Sequence, residues 1–184
     1  MPNHVINEVV LHGVSLERAA PLITGKDRSI DFAVLLPLPL NFWPGSVGRA
    51  HEEAFPGTHL EAARKTWGTK WNAYGIDEGG RYVSVREDGG STVLTFQTAN
   101  GHPRGWTVAL FNTLTCDITA SWLDEGQAEG FRESYRSAGP DKEGANGWDY
   151  ETIPEGTDEH RRLHKLLWGV EAHEDEEDEG DGLR

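Results

Sequence analysis

The hydrophobic periodicity of this chain alternates between the two-residue repeat of a strand and the 3.6-residue repeat of a helix. A first strand is predicted at residues 4–12, and a helix capped by Ser15 follows through about residue 23. Residues 31–38 form a continuous apolar run that ends at two prolines, which predicts a second strand. The later predicted elements are a helix opened by the capping box of Thr58 and Glu61, strands at 82–87 and 92–98 around an Asp-Gly-Gly turn, a helix at 103–114, strands at 116–122, 127–135 and 148–153, and a last helix at 157–168.

This order of elements predicts an α+β fold. Strand, helix, strand, long insertion, strand, helix and strand is the order of a ferredoxin-like domain, an antiparallel sheet with helices on one face. The insertion, helical and aromatic, covers about residues 41–87, and the last helix is a C-terminal addition. We therefore expect a single domain at residues 1–170, followed by a tail at 171–184.

The charge of the chain is strongly negative and unevenly distributed. The net charge is -14, and the tail at 171–184 contains eight carboxylates and one arginine. A segment so acidic and so poor in apolar residues is predicted to be disordered. Tight duplex DNA binding requires clustered lysine and arginine, so duplex DNA is not an expected partner.

The rest of the composition predicts a protein of the cytoplasm. No run approaches the roughly 18 apolar residues of a membrane span, and the first residues lack the pattern of a signal peptide. Cys116 is the only cysteine, so an internal disulfide is excluded. These features predict no contact with a membrane.

The candidate binding site is the segment at residues 64–75, in which aromatic and cationic side chains are concentrated. Its aromatic rings offer flat faces that could stack on a base, while its cations meet phosphates. The alternative is structural, with Trp67 and Trp71 packing the insertion onto the sheet and Asn72 fixing a turn. The candidate ligand-binding residues are Arg64, Trp67, Lys70, Trp71, Asn72 and Tyr74.

The sequence gives no catalytic residue, metal site or cofactor motif that stands out. His160 and His164 are four residues apart and share a helix face, but a zinc site needs further ligands. Cys116 is predicted to face the core, and the adjacent Asp124 and Glu125 lie in a turn. The Gly-rich stretches match neither a P-loop nor a dinucleotide fingerprint.

Several local motifs together resemble the Api-like (YubB-type) family of phage and plasmid proteins. The resemblance covers roughly residues 1–135, and the segment at 67–74 (WGTKWNAY) carries it most specifically. The other motifs are the opening MPNHVIN, the LPLP that ends the run at 31–38, TFQTA at 95–99 and DEG at 124–126. The chain departs from the family pattern at residues 100–103, where Asn-Gly-His-Pro replaces a Trp-Ser-Pro-Pro type of turn. The resemblance implies a mobile-element origin and a ferredoxin-like domain, and it implies no reaction.

Three hypotheses for function follow. The first is a small binding protein from a phage or other mobile element that occupies a host protein, such as a defence component, and so inhibits it. The second is capture of a small nucleotide or a single-stranded nucleic acid by the aromatic segment. The third is an enzyme whose nucleophile the sequence does not identify.

Overall fold

The fold was determined as a computed structural model. It describes residues 3–25, 29–38, 50, 53, 59–75, 84–138 and 146–169. The strands are β1 (His4–Leu11), β2 (Ser84–Asp88), β3 (Ser91–Ala99), β4 (Ile118–Asp124), β5 (Gly130–Arg136) and β6 (Gly147–Ile153). The helices in these ranges are α1 (Leu16–Ile23), α2 (Phe32–Leu35), α3 (His59–Trp67), α4 (Arg104–Leu114) and α5 (Asp158–Trp168).

The six strands form one antiparallel sheet with the order β2-β3-β1-β4-β5-β6. Helices α1, α2 and α3 lie between β1 and β2 in the chain, and α4 lies between β3 and β4. In each case one other strand lies between the two connected strands in the sheet. This interleaving of β1–β4 is the split βαβ arrangement of ferredoxin-like folds, to which β5 and β6 add two strands. The predicted α+β class is confirmed.

One predicted strand is wrong. Residues 31–38 do not join the sheet, and Phe32–Leu35 forms the short helix α2. The side chain of Asp31 accepts a hydrogen bond from the Ala33 amide at 2.9 Å and so begins the helix. The second strand in chain order is instead β2, which lies at the end of the predicted insertion. The tail at 171–184, Thr58 and most of residues 41–83 lie outside the described residues.

Helices α1–α4 cover one face of the sheet, which we call the core face. Val9, Leu94 and Ala120 lie side by side in register on β1, β3 and β4 and point into this core. Three aromatic rings contributed by the helices pack above them, and all are buried: Phe32, Trp67 and Trp106. Burying a side chain of this size stabilises a fold by roughly 1.5–3 kcal/mol, so the helices are held mainly by aromatic packing.

The C-terminal helix α5 covers the opposite face. Leu163 and Leu167 are buried with Ile6, Leu123 and Ile153 in a second, smaller core. Hydrogen bonds and ion pairs surround this core: Ser121 to Glu159 at 2.8 Å, Arg162 to Glu8 at 2.6 Å, and Arg132 to Glu159. The predicted C-terminal helix thus covers the face of the sheet that the other helices leave open.

The end of α3 meets the start of α4 at very short range. Gly68 has a φ of +92°, a conformation that favours glycine, and it ends α3. A Cβ atom at Gly105 would collide with the backbone oxygen of Thr66. The close contact positions residues 102–104, which border the surface discussed below.

In the described parts of the chain, the helices fall short of the length and apolar character that a membrane crossing requires.

Candidate functional site

The structure divides the sequence-predicted segment into buried and exposed members. Trp67 is only 2% exposed and contributes to the core, where its indole N–H donates to the backbone oxygen of Leu36 at 2.8 Å. Its ring also meets Phe32 edge to face at 5.7 Å. Trp67 therefore has the packing role that the sequence left open as an alternative.

Asn72 also makes contacts within the fold. Its side-chain oxygen accepts from the amides of Phe32 and Ala73, both at 2.9 Å. Its side-chain nitrogen donates to the Asp31 carboxylate at 2.7 Å. Asn72 thus ties the loop after α3 to the start of α2.

Lys70, Trp71 and Tyr74 form the outward part of the segment. Trp71 is 37% exposed, the Lys70 ammonium lies 5.5 Å from its ring centre, and the Tyr74 ring is 6.0 Å away. The Tyr74 hydroxyl is within hydrogen-bond distance of Thr98 O (3.1 Å) and His4 Nδ1 (2.8 Å). Burial, together with the charge of Glu125, raises the pKa of Tyr74 to about 12, so this phenol is neutral at physiological pH. Arg64 lies on the exposed side of α3.

A second group of aromatic residues was not predicted as a site, and it is larger. We call it the aromatic surface, and it consists of Trp122 on β4, Phe131 on β5, and Trp148 and Tyr150 on β6. All four lie on the core face, beyond the part of the sheet that the helices cover. Ring centres are 5.8 Å apart for Trp122 and Phe131, 5.9 Å for Phe131 and Tyr150, and 6.5 Å for Tyr150 and Trp148.

The outer half of the aromatic surface is open to solvent. Trp148 and Tyr150 are each 49% exposed. They lie on β6, the last strand of the sheet among the described residues. Exposed aromatic groups of this extent on a folded domain mark interaction sites more often than ordinary surface.

The inner end of the aromatic surface is fixed by His102. The imidazole stacks on Trp122 with 4.5 Å between ring centres and 13° between planes. Asn7 donates its amide to Thr98, so its oxygen accepts from His102 Nδ1 at 2.9 Å, and His102 Nε2 accepts from the Thr107 hydroxyl at 3.0 Å. Burial and, to a lesser degree, the charge of Arg104 lower the pKa of His102 to about 3. The ring is therefore neutral and supports Trp122 as a flat, uncharged neighbour.

The outer end carries a cation. The Arg104 guanidinium lies 4.8 Å from the centre of the Trp148 ring, and its Nε is 3.1 Å from the carboxylate of Glu133. Glu133 is buried, and the Tyr135 hydroxyl donates to its other oxygen. Burial and the hydrogen bond with Glu133 raise the pKa of Tyr135, so Tyr135 is a hydrogen-bond donor in this cluster.

This arrangement is suited to stacking. Four rings lie 5.8–6.5 Å apart on three neighbouring strands, and the two exposed ones, Trp148 and Tyr150, can stack with a planar group such as a base, another aromatic ring or a guanidinium. No group of three His, Cys, Asp or Glu side chains within the described ranges has the geometry of a metal site.

His160 and His164, which the sequence analysis considered as metal ligands, line a cleft beside α5. The cleft has a volume of about 180 Å³, and three carboxylates and an exposed tryptophan share its wall: Asp124, Glu125, Glu155 and Trp168. His160 is buried, and its Nδ1 accepts from the Gly156 amide at 3.4 Å. His160 therefore packs at the base of the cleft.

Sequence patterns alone gave little indication of the aromatic surface. Trp148 and Tyr150 alternate, which places them on one face of a strand, but Trp122 and Phe131 are distant in sequence. Only the pairing of β4 with β5 and of β5 with β6 brings the four rings together.

Comparisons with known proteins returned no match: no family model fits the chain, and no curated protein and no solved structure is significantly similar to it.

Proposed function

We propose that the protein acts by binding a partner protein through the aromatic surface. The observation that carries this proposal is the exposure of Trp148 and Tyr150, each 49%, on a sheet face continuous with Phe131 and Trp122. Tryptophan, tyrosine and arginine are the residues that dominate binding energy at protein interfaces. Here Arg104 lies over the Trp148 ring.

The support beneath these rings also favours binding. Trp122 rests on His102, which hydrogen bonds fix to β1 and α4. Rings held in one orientation lose little conformational entropy when a partner covers them. Trp122, the ring supported in this way, therefore yields more of its contact energy as affinity.

The partner in this proposal is a host protein, and the chain is a cytoplasmic protein of a phage or other mobile element. The Api-like resemblance at residues 67–74 and in the flanking motifs supports the origin. We propose that the target is a component of a host defence system and that the bound protein inhibits it by covering its functional surface. The net charge of -14 supports a target whose own surface is basic.

The test is capture of host proteins by three versions of the full-length chain. We expect the wild type and a Trp71→Ala control to retain the same partner, and Trp148→Ala/Tyr150→Ala to lose it. All three versions carry the same charge, so non-specific capture by the acidic chain is equal in each. A partner held equally by the double variant would contradict the proposal, provided that circular dichroism shows the variant to be folded.

A second candidate function is nucleotide capture by Lys70, Trp71 and Tyr74. The Lys70 ammonium lies 5.5 Å from the centre of the partly exposed Trp71 ring. This position favours nucleotide capture, because a base stacked on Trp71 would bring the phosphate of the nucleotide near that charge. Nucleotides and short single strands, cyclic dinucleotides included, would then raise the melting temperature of the wild type but not of Trp71→Ala. A screen without any shift in the wild type would remove this candidate.

A further inference from the structure

The aromatic surface already holds one guanidinium group. Arg104 lies over Trp148 at 4.8 Å and contacts the buried carboxylate of Glu133 at 3.1 Å. An aromatic face beside a carboxylate is a favourable environment for an arginine side chain, because the planar cation can stack and pair at once.

Tyr150 offers a second aromatic face next to it. Both oxygens of Glu133 are already engaged, by Arg104 and Tyr135, so a cation on Tyr150 would meet the field of this carboxylate without pairing with it. The centre of the Tyr150 ring is 6.5 Å from that of Trp148, and in the described residues no cation lies over it. Glu133 is directly opposite Tyr150 in the pairing of β5 with β6. The charge of Glu133, after burial, contributes to the raised pKa of Tyr150, so the phenol lies within the field of that carboxylate.

The charge of the whole chain selects between the ligands that could stack here. With a net charge of -14 and a pI near 4.9, the protein attracts basic segments and repels the phosphates of a nucleic acid. A flat cation therefore fits the surface better than a base attached to a phosphate backbone.

We propose that the aromatic surface binds an arginine side chain from a basic segment of the partner protein, with its guanidinium stacked on Tyr150 beside Arg104. This inference rests on the proposed function, because it specifies what the partner presents to the same surface. It requires selection of arginine over lysine, since an ammonium carries equal charge but has no plane with which to stack.

The experiment compares two blocked peptides of equal length and charge, one with arginines and one with lysines spaced by glycine, and a thymidine oligomer. Affinities for the full-length protein are measured by calorimetry at near-physiological salt. We expect the arginine peptide to bind about threefold or more tighter than the lysine peptide, because the guanidinium adds planar stacking to the cation–π attraction that both cations share. That ratio should fall to about one in Tyr150→Ala and persist in Tyr150→Phe, which keeps the ring, and in Trp168→Ala, which removes an exposed tryptophan from α5 on the opposite face.

Equal affinity for the two peptides in the wild type would overturn the inference, as would a ratio that survives in Tyr150→Ala. Tighter binding of the thymidine oligomer, lost in Tyr150→Ala, would overturn it in favour of single-stranded nucleic acid. If Trp148→Ala/Tyr150→Ala loses the host partner while the wild type shows no preference for arginine, the inference fails and the proposed function stands. A preference for arginine together with unchanged host capture by the double variant would instead contradict the proposed function.

Discussion

The stability of this protein should fall steeply in mild acid, because His102 becomes protonated in the unfolded chain at a pH where it is still neutral in the fold. In the folded state the pKa of His102 is about 3, because the ring is buried and lies near the charge of Arg104. In the unfolded chain a histidine has a pKa of about 6.5. Below that value the unfolded state gains a proton that the folded state does not bind, so stability is complete above about pH 6.5 and is lost as the pH falls toward 3.

Between the two pKa values, the loss of unfolding free energy grows with the number of pH units below the unfolded pKa of about 6.5. At about pH 5 the unfolded histidine is almost fully protonated while His102 in the fold is still neutral. With 1.36 kcal/mol for each pH unit below 6.5, the loss relative to pH 7.5 is about 2 kcal/mol. This is a large fraction of the roughly 5–15 kcal/mol that stabilises a domain.

The assay is urea unfolding of the wild type and of His102→Gln at both pH values. Glutamine keeps a donor and an acceptor for Asn7 and Thr107 but does not titrate, so the variant subtracts the contributions of all other groups. We expect the wild type to lose about 2 kcal/mol more than the variant between pH 7.5 and pH 5. Equal losses, or an imidazole NMR signal of His102 that titrates near pH 6.5, would refute the reasoning.

Two further substitutions test the packing that positions the candidate surfaces, each by urea unfolding. Gly105→Ala should destabilise the protein by about 3 kcal/mol or more, although alanine favours a helix, because the new methyl group meets the Thr66 carbonyl. A stability equal to that of the wild type would contradict the close contact between α3 and α4. Asn72→Ala should cost about 1–3 kcal/mol, because it removes the acceptor of the buried Phe32 amide. Unchanged stability there, together with lost ligand binding, would return Asn72 to the predicted binding site.

The parts of the fold that the sequence predicted are those specified by local pattern. Alternation located β4, the Asp-Gly-Gly turn located β3, and the Ser15 cap located the start of α1. The apolar run at 31–38 was wrongly predicted as a strand because composition alone does not distinguish a buried strand from a short buried helix. Here the Asp31 side chain caps the start of the helix, and the distant Asn72 side chain accepts a hydrogen bond from the Phe32 amide.

The candidate site was harder to predict, because it too depends on contacts between residues that are distant in the sequence. The segment at 67–74 stands out because its aromatic residues are adjacent in sequence, yet two of its most prominent members, Trp67 and Asn72, make their contacts within the fold. The aromatic surface is assembled from three strands, and its members are separated by up to 28 positions from Trp122 to Tyr150. The concentration of aromatic residues at 67–74 therefore marked a segment that packs into the core, whereas the pairing of β4, β5 and β6 creates the exposed aromatic surface.

The start of α4 connects the buried polar network to the aromatic surface. His102 supports Trp122 from below, and Arg104, two residues later, lies over Trp148. Both residues belong to one short stretch of chain, in which the imidazole of His102 stacks on one tryptophan and the guanidinium of Arg104 lies over another. The start of α4 therefore supports both ends of the aromatic surface. His102 stays neutral in the folded state until the pH approaches about 3, so the loss of stability in mild acid arises from the unfolded chain and not from a change at Trp122.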